Sequence, residues 1–212
     1  IKSGGNIVSH DFIKSGGPIF SGGDIFSRGD IYSDGNILSG GSVKSGGYIF
    51  SGGDIFSRGD IYSDGYIDSV GSVKSGGYIV SGEGIKSGGY INSGYHLTSC
   101  EGIYSHGYIK SGGYIDSGGD IDSGGDIVSG RGIYSGGGIN SGGDIVSVGG
   151  IKSGVGYIVS GEGIESGGDI KSCGYIDSGG DINSVGLVTC KKLRSGKVAS
   201  GELVETGAGN TK

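Results

Sequence analysis

From Ile1 to Ile151 every sixth residue is Ile, Val or Leu, 26 positions in unbroken phase, and two residues after each stands a Ser, from Ser3 to Ser153. The unit reads I-x-S-G-G-x. Six residues are too few to enclose a core, and so strict a phase is foreign to a linker. A unit that cannot bury its aliphatic residue alone must stack on its neighbours, which is how a solenoid is built.

Of the 212 residues 55 are Gly, with one Pro, three Cys and neither Met nor Trp. Gly at this level signals collagen or a disordered chain. Collagen needs Gly at every third position, but here Ile and Ser hold two places in every six. A flexible Gly/Ser chain has no reason to keep an aliphatic residue in phase. The expected fold is therefore all-β: a parallel β-solenoid over residues 1–187, followed by a modified C-terminal end region and polar tail over 188–212.

In an extended segment, positions one and three of the hexad point the same way and position two points the other. Ile and Ser then face inward. Position two faces outward and varies freely: Lys2, Val8, Lys14, Phe20, Phe26, Tyr32. The Gly-Gly pair is expected to turn the corner through positive φ. Three hexads per turn make a triangular, 18-residue coil; two make a flat, 12-residue ribbon. The triangular coil is the expectation, because it gathers three Ile around one axis, while a flat ribbon has a thin core and lacks the staples such cores use. It predicts that Tyr48 stacks on Tyr66, Tyr90 on Tyr108 and Tyr157 on Tyr175. Ten or eleven coils at the strand spacing give a rod of roughly 50 Å. The inward Ser hydroxyls are expected to bond a neighbouring Ser or the corner backbone.

The pattern breaks in three ways. Residues 151–157 read IKSGVGY, one residue too many, which predicts a bulge or widened turn. Gly82-Glu83-Gly84, Gly130-Arg131-Gly132 and Gly161-Glu162-Gly163 move the second Gly by one place and read as alternative corners. Beyond Ile182 the spacing falls to five (Val188, Leu193, Val198, Leu203), and Lys191, Lys192, Arg194 and Lys197 cluster. Such an atypical segment suits the end of a repeat array, with 206–212 as a polar tail. The chain starts in mid-repeat at Ile1, so it is expected to be a processed product or a fragment, and its first coil leaves an open strand edge.

Few chemistries fit. The net charge is −6 with the signs interspersed, so no basic stripe points to nucleic acid, and no apolar run reaches transmembrane length. Cys100, Cys173 and Cys190 are odd in number and far apart, which argues against a disulfide framework. His10, His96 and His106 are joined by no Cys or carboxylate cluster at metal-ligand spacing. Nothing activates the serial Ser hydroxyls as nucleophiles. Gly-Gly-Asp corners invite a Ca²⁺ reading, but the Asp place is often Tyr, Asn or Ser. Thr98, Thr189, Thr206 and Thr211 make no flat array for ice. Hexapeptide-repeat acyltransferases share the period, yet the small or acidic residue that usually follows their aliphatic one is Phe, Tyr, Lys or Val here. No catalytic, cofactor-binding or metal-ligating residue is expected, and no enzyme.

Residues 19–48 and 49–78 match at 27 of 30 positions. Thirty residues are five hexads, so the copy is rotated by one face relative to its parent. Faces that can be exchanged suit a structural rod better than a receptor. The segment GGDIFSRGDIYSDG at 22–35 resembles the bactofilins, polymer-forming β-helical proteins with G-D-[IV]-x-[SG] strands, and the similarity spans most of residues 1–187. The bactofilins carry fewer Gly-Gly corners and less regular hexads. The resemblance implies a three-faced, right-handed helix that polymerises end to end without nucleotide. INSGG at 139–143 is similar to the Gly-rich passenger repeats of bacterial autotransporter adhesins. The expected function is a self-assembling filament or fibre, its partner another copy of itself, end to end and through lateral contacts. The alternative is a rigid adhesin stalk whose exposed Tyr and Phe meet glycans or other cells. The compartment is not fixed by the sequence; an extracellular or cell-surface place is favoured over a cytoplasmic filament.

Overall fold

The computed structural model describes residues 1–199 and 203–205. Each hexad supplies one three-residue strand at I-x-S, beginning with β1 (Lys2–Ser3), β2 (Ile7–Ser9), β3 (Ile13–Ser15) and β4 (Ile19–Ser21). Strand β1 pairs in parallel with β4, and so on at every third strand. The result is three sheets of twelve, twelve and eleven strands wrapped around one axis. This is the triangular β-solenoid with its 18-residue coil, and the flat ribbon is excluded. Among the described residues there is no helix, and so none long and apolar enough to cross a membrane.

The register is like on like. Ile55 lies between Ile37 and Val73, and Ser57 between Ser39 and Ser75. Position-one side chains from Ile19 to Val188 are shut from solvent in one continuous core, and nearly every Ser at position three is buried with them. Position two stays exposed or half-buried, as in Val43–Ser45 and Ile49–Ser51. A fully buried aliphatic side chain contributes about 1.5–3 kcal/mol. The core thus needs no large residue, only an unbroken file of medium ones.

The Ser hydroxyls tie each coil to the one before. Ser39 Oγ donates to Gly23 O at 2.8 Å, with Ser42 O as a longer second acceptor at 3.1 Å, and it accepts the Gly41 N–H at 3.2 Å. The same bond to the preceding coil recurs at Ser45 and Ser51. Of the two partners expected, the corner backbone is the one used. Buried hydroxyls need such acceptors, because an unpaired one costs about 1–3 kcal/mol.

The glycines have a different purpose from the one expected. No described glycine has φ in the left-handed region. They are required by closeness instead. A Cβ on Gly40 would run into Gly22 O of the coil below, and a Cβ on Gly41 would run into the Asp24 carboxylate. That carboxylate is itself engaged, because Asp24 Oδ1 accepts the Ser42 N–H at 2.8 Å. The joint repeats at Asp30 with the Tyr48 N–H, Asp54 with Ser72 and Asp60 with Tyr78, each at 2.8 Å. Asn36 Oδ1 accepts the Asp54 N–H at 3.0 Å. Gly-Gly-Asp is therefore one device: the second Gly makes room for the acid that satisfies the next coil's backbone.

The irregular stretches keep the three sheets intact. Ile139 pairs with Ile158, one place beyond the regular step, so the extra residue at 154–156 widens one corner and the parallel ladder resumes. Val155 itself is 83% exposed. Toward the C-terminus the coil shortens step by step. Ile176 pairs with Leu193, Ile182 with Val198 and Val188 with Leu203, each coil shorter than the last by a single residue. The strands Lys192–Arg194, Val198–Ala199 and Leu203–Glu205 thus extend the ladder rather than ending it, and the end region is a narrowing of the same solenoid. Cys190 takes the Ser place there and is buried. The expected polar tail at 206–212 lies outside the described residues.

Three substitutions test this account. Ile115 is fully buried, and Ile115→Asp is expected to destabilise the rod by about 3–5 kcal/mol by burying an unpartnered charge; denaturant unfolding followed by circular dichroism measures it. Deleting Val155 restores the regular coil and should leave the melting midpoint within about 2 °C of the parent. Asp54→Ala strands the Ser72 N–H and should cost about 1 kcal/mol, while Asp54→Asn keeps the acceptor and should be near neutral.

Candidate functional site: the outer aromatic columns

With positions one and three and the corner glycines committed to the coil joint, what the rod can show a partner is positions two and six and the non-glycine residues at positions four and five, such as Val70, Tyr95 and Val148. Stacking turns positions two and six into columns parallel to the axis, spaced by about 4.8 Å. All three predicted Tyr pairs stack: Tyr48 on Tyr66 with ring centroids 5.9 Å apart, Tyr90 on Tyr108 at 4.8 Å and Tyr157 on Tyr175 at 5.3 Å. Tyr32 stacks on Phe50 at 4.8 Å.

Cations of the chain itself sit at several of these rings. Lys14 Nζ lies 5.3 Å from the Tyr32 centroid, Lys44 Nζ 5.1 Å from Tyr62 and Lys74 Nζ 5.7 Å from Phe56. Each pair comes from adjacent coils on one face, so the stacking register alone brings charge over ring. Such contacts are worth about 0.5–1 kcal/mol when exposed.

The histidines fall on three different edges of the prism and form no cluster. His10 follows a strand of the second sheet, His96 one of the first and His106 one of the third. His96 lies between Tyr78 at 5.4 Å and Tyr114 at 5.2 Å, and its Nδ1 accepts the Tyr114 N–H at 3.1 Å. It stands in for the position-six Asp. Among the described residues no group of three or more His, Cys, Asp or Glu is placed to hold a metal ion. The carboxylates that suggested Ca²⁺ are turned to backbone N–H groups instead, as Asp24 is to Ser42. None of the three cysteines is in a disulfide.

Two features are not evident from the sequence. Two of the three displaced glycines at position six are seats for rings: a Cβ on Gly84 would meet the Tyr66 ring, and one on Gly132 the Tyr134 ring, whereas Gly163 lies beside Asp144. The signal is Gly-x-Gly close in space to Tyr, visible only once the length of the coil is fixed. The second is a polar knot beside Gly84. The Tyr66 phenol donates to Glu101 Oε2 at 2.6 Å. That hydrogen bond, followed by desolvation and the nearby Glu101 and Glu83 charges, pushes the Tyr66 pKa up to about 12. Tyr32 and Tyr62 are raised too, chiefly by hydrogen bonds to Asp34 and Asp64, and Tyr104 chiefly by desolvation. Each of these phenols is held neutral, and Tyr66, Tyr32 and Tyr62 spend their O–H on a carboxylate of the chain itself.

One place combines these features. On three successive coils the pairs Asp30 and Tyr32, Tyr48 and Phe50, and Tyr66 and Asp68 flank the same file of buried Ile, leaving a groove of about 370 Å³. Two stacked aromatic pairs border it, with one carboxylate at each end. Comparison with protein-family models, with curated proteins and with solved structures finds no match.

Proposed function

We propose that this chain is a structural protein, a rigid solenoid that builds or extends a filament and carries no catalytic site. The observation that carries the reading is the interchangeability of its surface. The duplicated thirty residues start at Ile19 on the first sheet and again at Ile49 on the third, so one surface sequence is displayed on different faces. A surface dedicated to one receptor would not survive that rotation, whereas a rod whose coils are equivalent does.

The joint between coils is also a joint that two rods can use. In each coil the position-two N–H donates to the preceding coil, as Phe20 N–H does to Ile1 O at 2.9 Å. Among the described residues, each strand of the coil that holds β1, β2 and β3 pairs on one side only. A parallel ladder can be continued by any strand presented in register, and a contact between unlike ends of two rods would give filaments because it does not close on itself. The narrowed coil at the other end, from Val188 to Leu203, makes the two ends geometrically distinct. The resemblance to the bactofilins points the same way.

Sedimentation and negative-stain microscopy over a range of concentrations test the proposal. The expected result is mass that grows with concentration and rods longer than one molecule. Val8→Pro with Lys14→Pro removes two N–H donors of the first coil that point away from the second and should leave single rods. A chain that stays a single rod at high concentration overturns the filament reading and leaves the adhesin stalk, with its exposed Tyr and Phe, in its place.

A further inference from the structure

We propose that the groove between the Tyr32/Phe50 and Tyr48/Tyr66 columns is a binding site for a planar aromatic cation, lying with its long axis along the rod. This inference does not depend on filament formation. Three observations carry it. The first is shape. The side chains that border the groove come from three coils, so it runs about 10 Å along the axis at the strand spacing, and its volume of about 370 Å³ suits a flat molecule of two or three rings. The floor is the file of position-one residues, level because every coil repeats the same backbone.

The second is the chemistry of the walls. Tyr32 and Phe50 are nearly coplanar in orientation, 12° apart, and Tyr48 and Tyr66 are 25° apart. Two aromatic walls on opposite sides of a slot offer apolar area to a flat guest at little cost in side-chain entropy. The other stacked Tyr pairs lack a second wall. Across from Tyr90 and Tyr108 stand Asn92 and Lys110, and across from Tyr157 and Tyr175 stand Val159 and Asp177.

The third is charge. Asp30 closes one end and Asp68 the other. Asp30 Oδ1 is used by the Tyr48 N–H at 2.8 Å, which fixes the carboxylate in place. Lys14 Nζ lies over the Tyr32 ring at 5.3 Å while Phe50 stacks on the same ring, so this aromatic column already accommodates positive charge beside it. Lys14 and Lys86 stack beyond the two ends of the position-two column, next to Tyr32 and Asp68, so it is chiefly Asp30, on the other column, that favours a delocalised cation over an anion.

The test is fluorescence titration of the intact rod with thioflavin T, a planar benzothiazolium cation, beside the anionic dye 8-anilinonaphthalene-1-sulfonate. The expected result is saturable binding of thioflavin T at one site per chain, present at concentrations where sedimentation shows single rods. Tyr48→Ser with Phe50→Asn places in the groove residues the repeat already carries at those positions, at Ser42 and Asn92. This variant should keep its circular dichroism and bind at least about tenfold more weakly. Tyr90→Ser with Tyr108→Ser should change the affinity by less than about twofold. Asp30→Asn with Asp68→Asn should narrow the preference for the cation. Absence of saturable binding, binding that appears only on assembly, equal binding of the anion, or undiminished binding by the folded Tyr48→Ser, Phe50→Asn variant overturns the proposal.

Discussion

The interaction on which everything else rests is the bond from each inward Ser hydroxyl to the backbone carbonyl of the coil before it, as from Ser39 to Gly23 at 2.8 Å. Main-chain bonds continue through the corners, where Gly23 O accepts the Gly41 N–H at 3.1 Å, and the Ser hydroxyl gives the same inward-facing carbonyl a second donor. From Ser21 to Ser184 the Ser at position three supplies that second donor. It also fixes the distance between coils at the corner, and that distance forces the rest of the hexad. With coils so close, position four over the carbonyl below has no room for a Cβ wherever Gly40 or its equivalents stand. The next place must clear the acid or amide beneath it. The acid, in turn, accepts the N–H of the residue above. Ser, Gly-Gly and Asp are thus not separate preferences but one contact, read off in sequence as S-G-G-D.

That dependence explains which parts of the fold are legible. The triangular coil, the inward Ile and Ser and the three Tyr pairs follow from phase alone, because a solenoid turns sequence distance into stacking. Tyr48 and Tyr66 have to meet once three hexads make a coil. The role of Gly is not legible, and the reason is physical. Gly has two properties, freedom at positive φ and the lack of a Cβ, and a sequence cannot say which one a corner uses. Here it is the second, as a Cβ on Gly41 would meet Asp24. Position-six Asp is likewise legible as frequent but not as an acceptor, since its partner, Ser42 for Asp24, lies a full coil away in the chain.

The candidate site is legible only in part. Exposed Phe and Tyr are evident at positions two and six, but a groove depends on which columns are adjacent across one position-one file. Tyr48 and Phe50 flank Ile49 in sequence, whereas Tyr32 and Tyr66 join them only through stacking. Likewise, the five-residue spacing after Val188 is visible as a change, yet not as a continuation. A coil of three five-residue faces still stacks on one of six because position one keeps its place in each sheet, as the pairing of Val188 with Leu203 shows. The loss is taken from the corners.

This division of labour bears on what such a chain can evolve to do. Positions one and three are bound by the joint, as are positions four and five wherever a Gly sits over the coil below and position six wherever it is Asp or Asn, and a change at any of these is felt in the neighbouring coils. Position two is bound by nothing but its stacked neighbours. Lys, Phe, Tyr, Asp, Asn, Val and Thr all occupy it, and the strand beneath is unchanged. A duplication of whole hexads therefore rearranges the surface without disturbing the core. Where the number of hexads is not a multiple of three, it moves each outer residue to a new face and makes new columns. The Tyr32/Phe50 pair arose in this way: Tyr32 belongs to the first copy and Phe50 to the second. The aromatic groove thus joins a five-hexad step on a three-hexad coil, which sets Tyr32 beside Phe50, with two of the three differences between the copies, Tyr66 against Asn36 and Asp68 against Leu38.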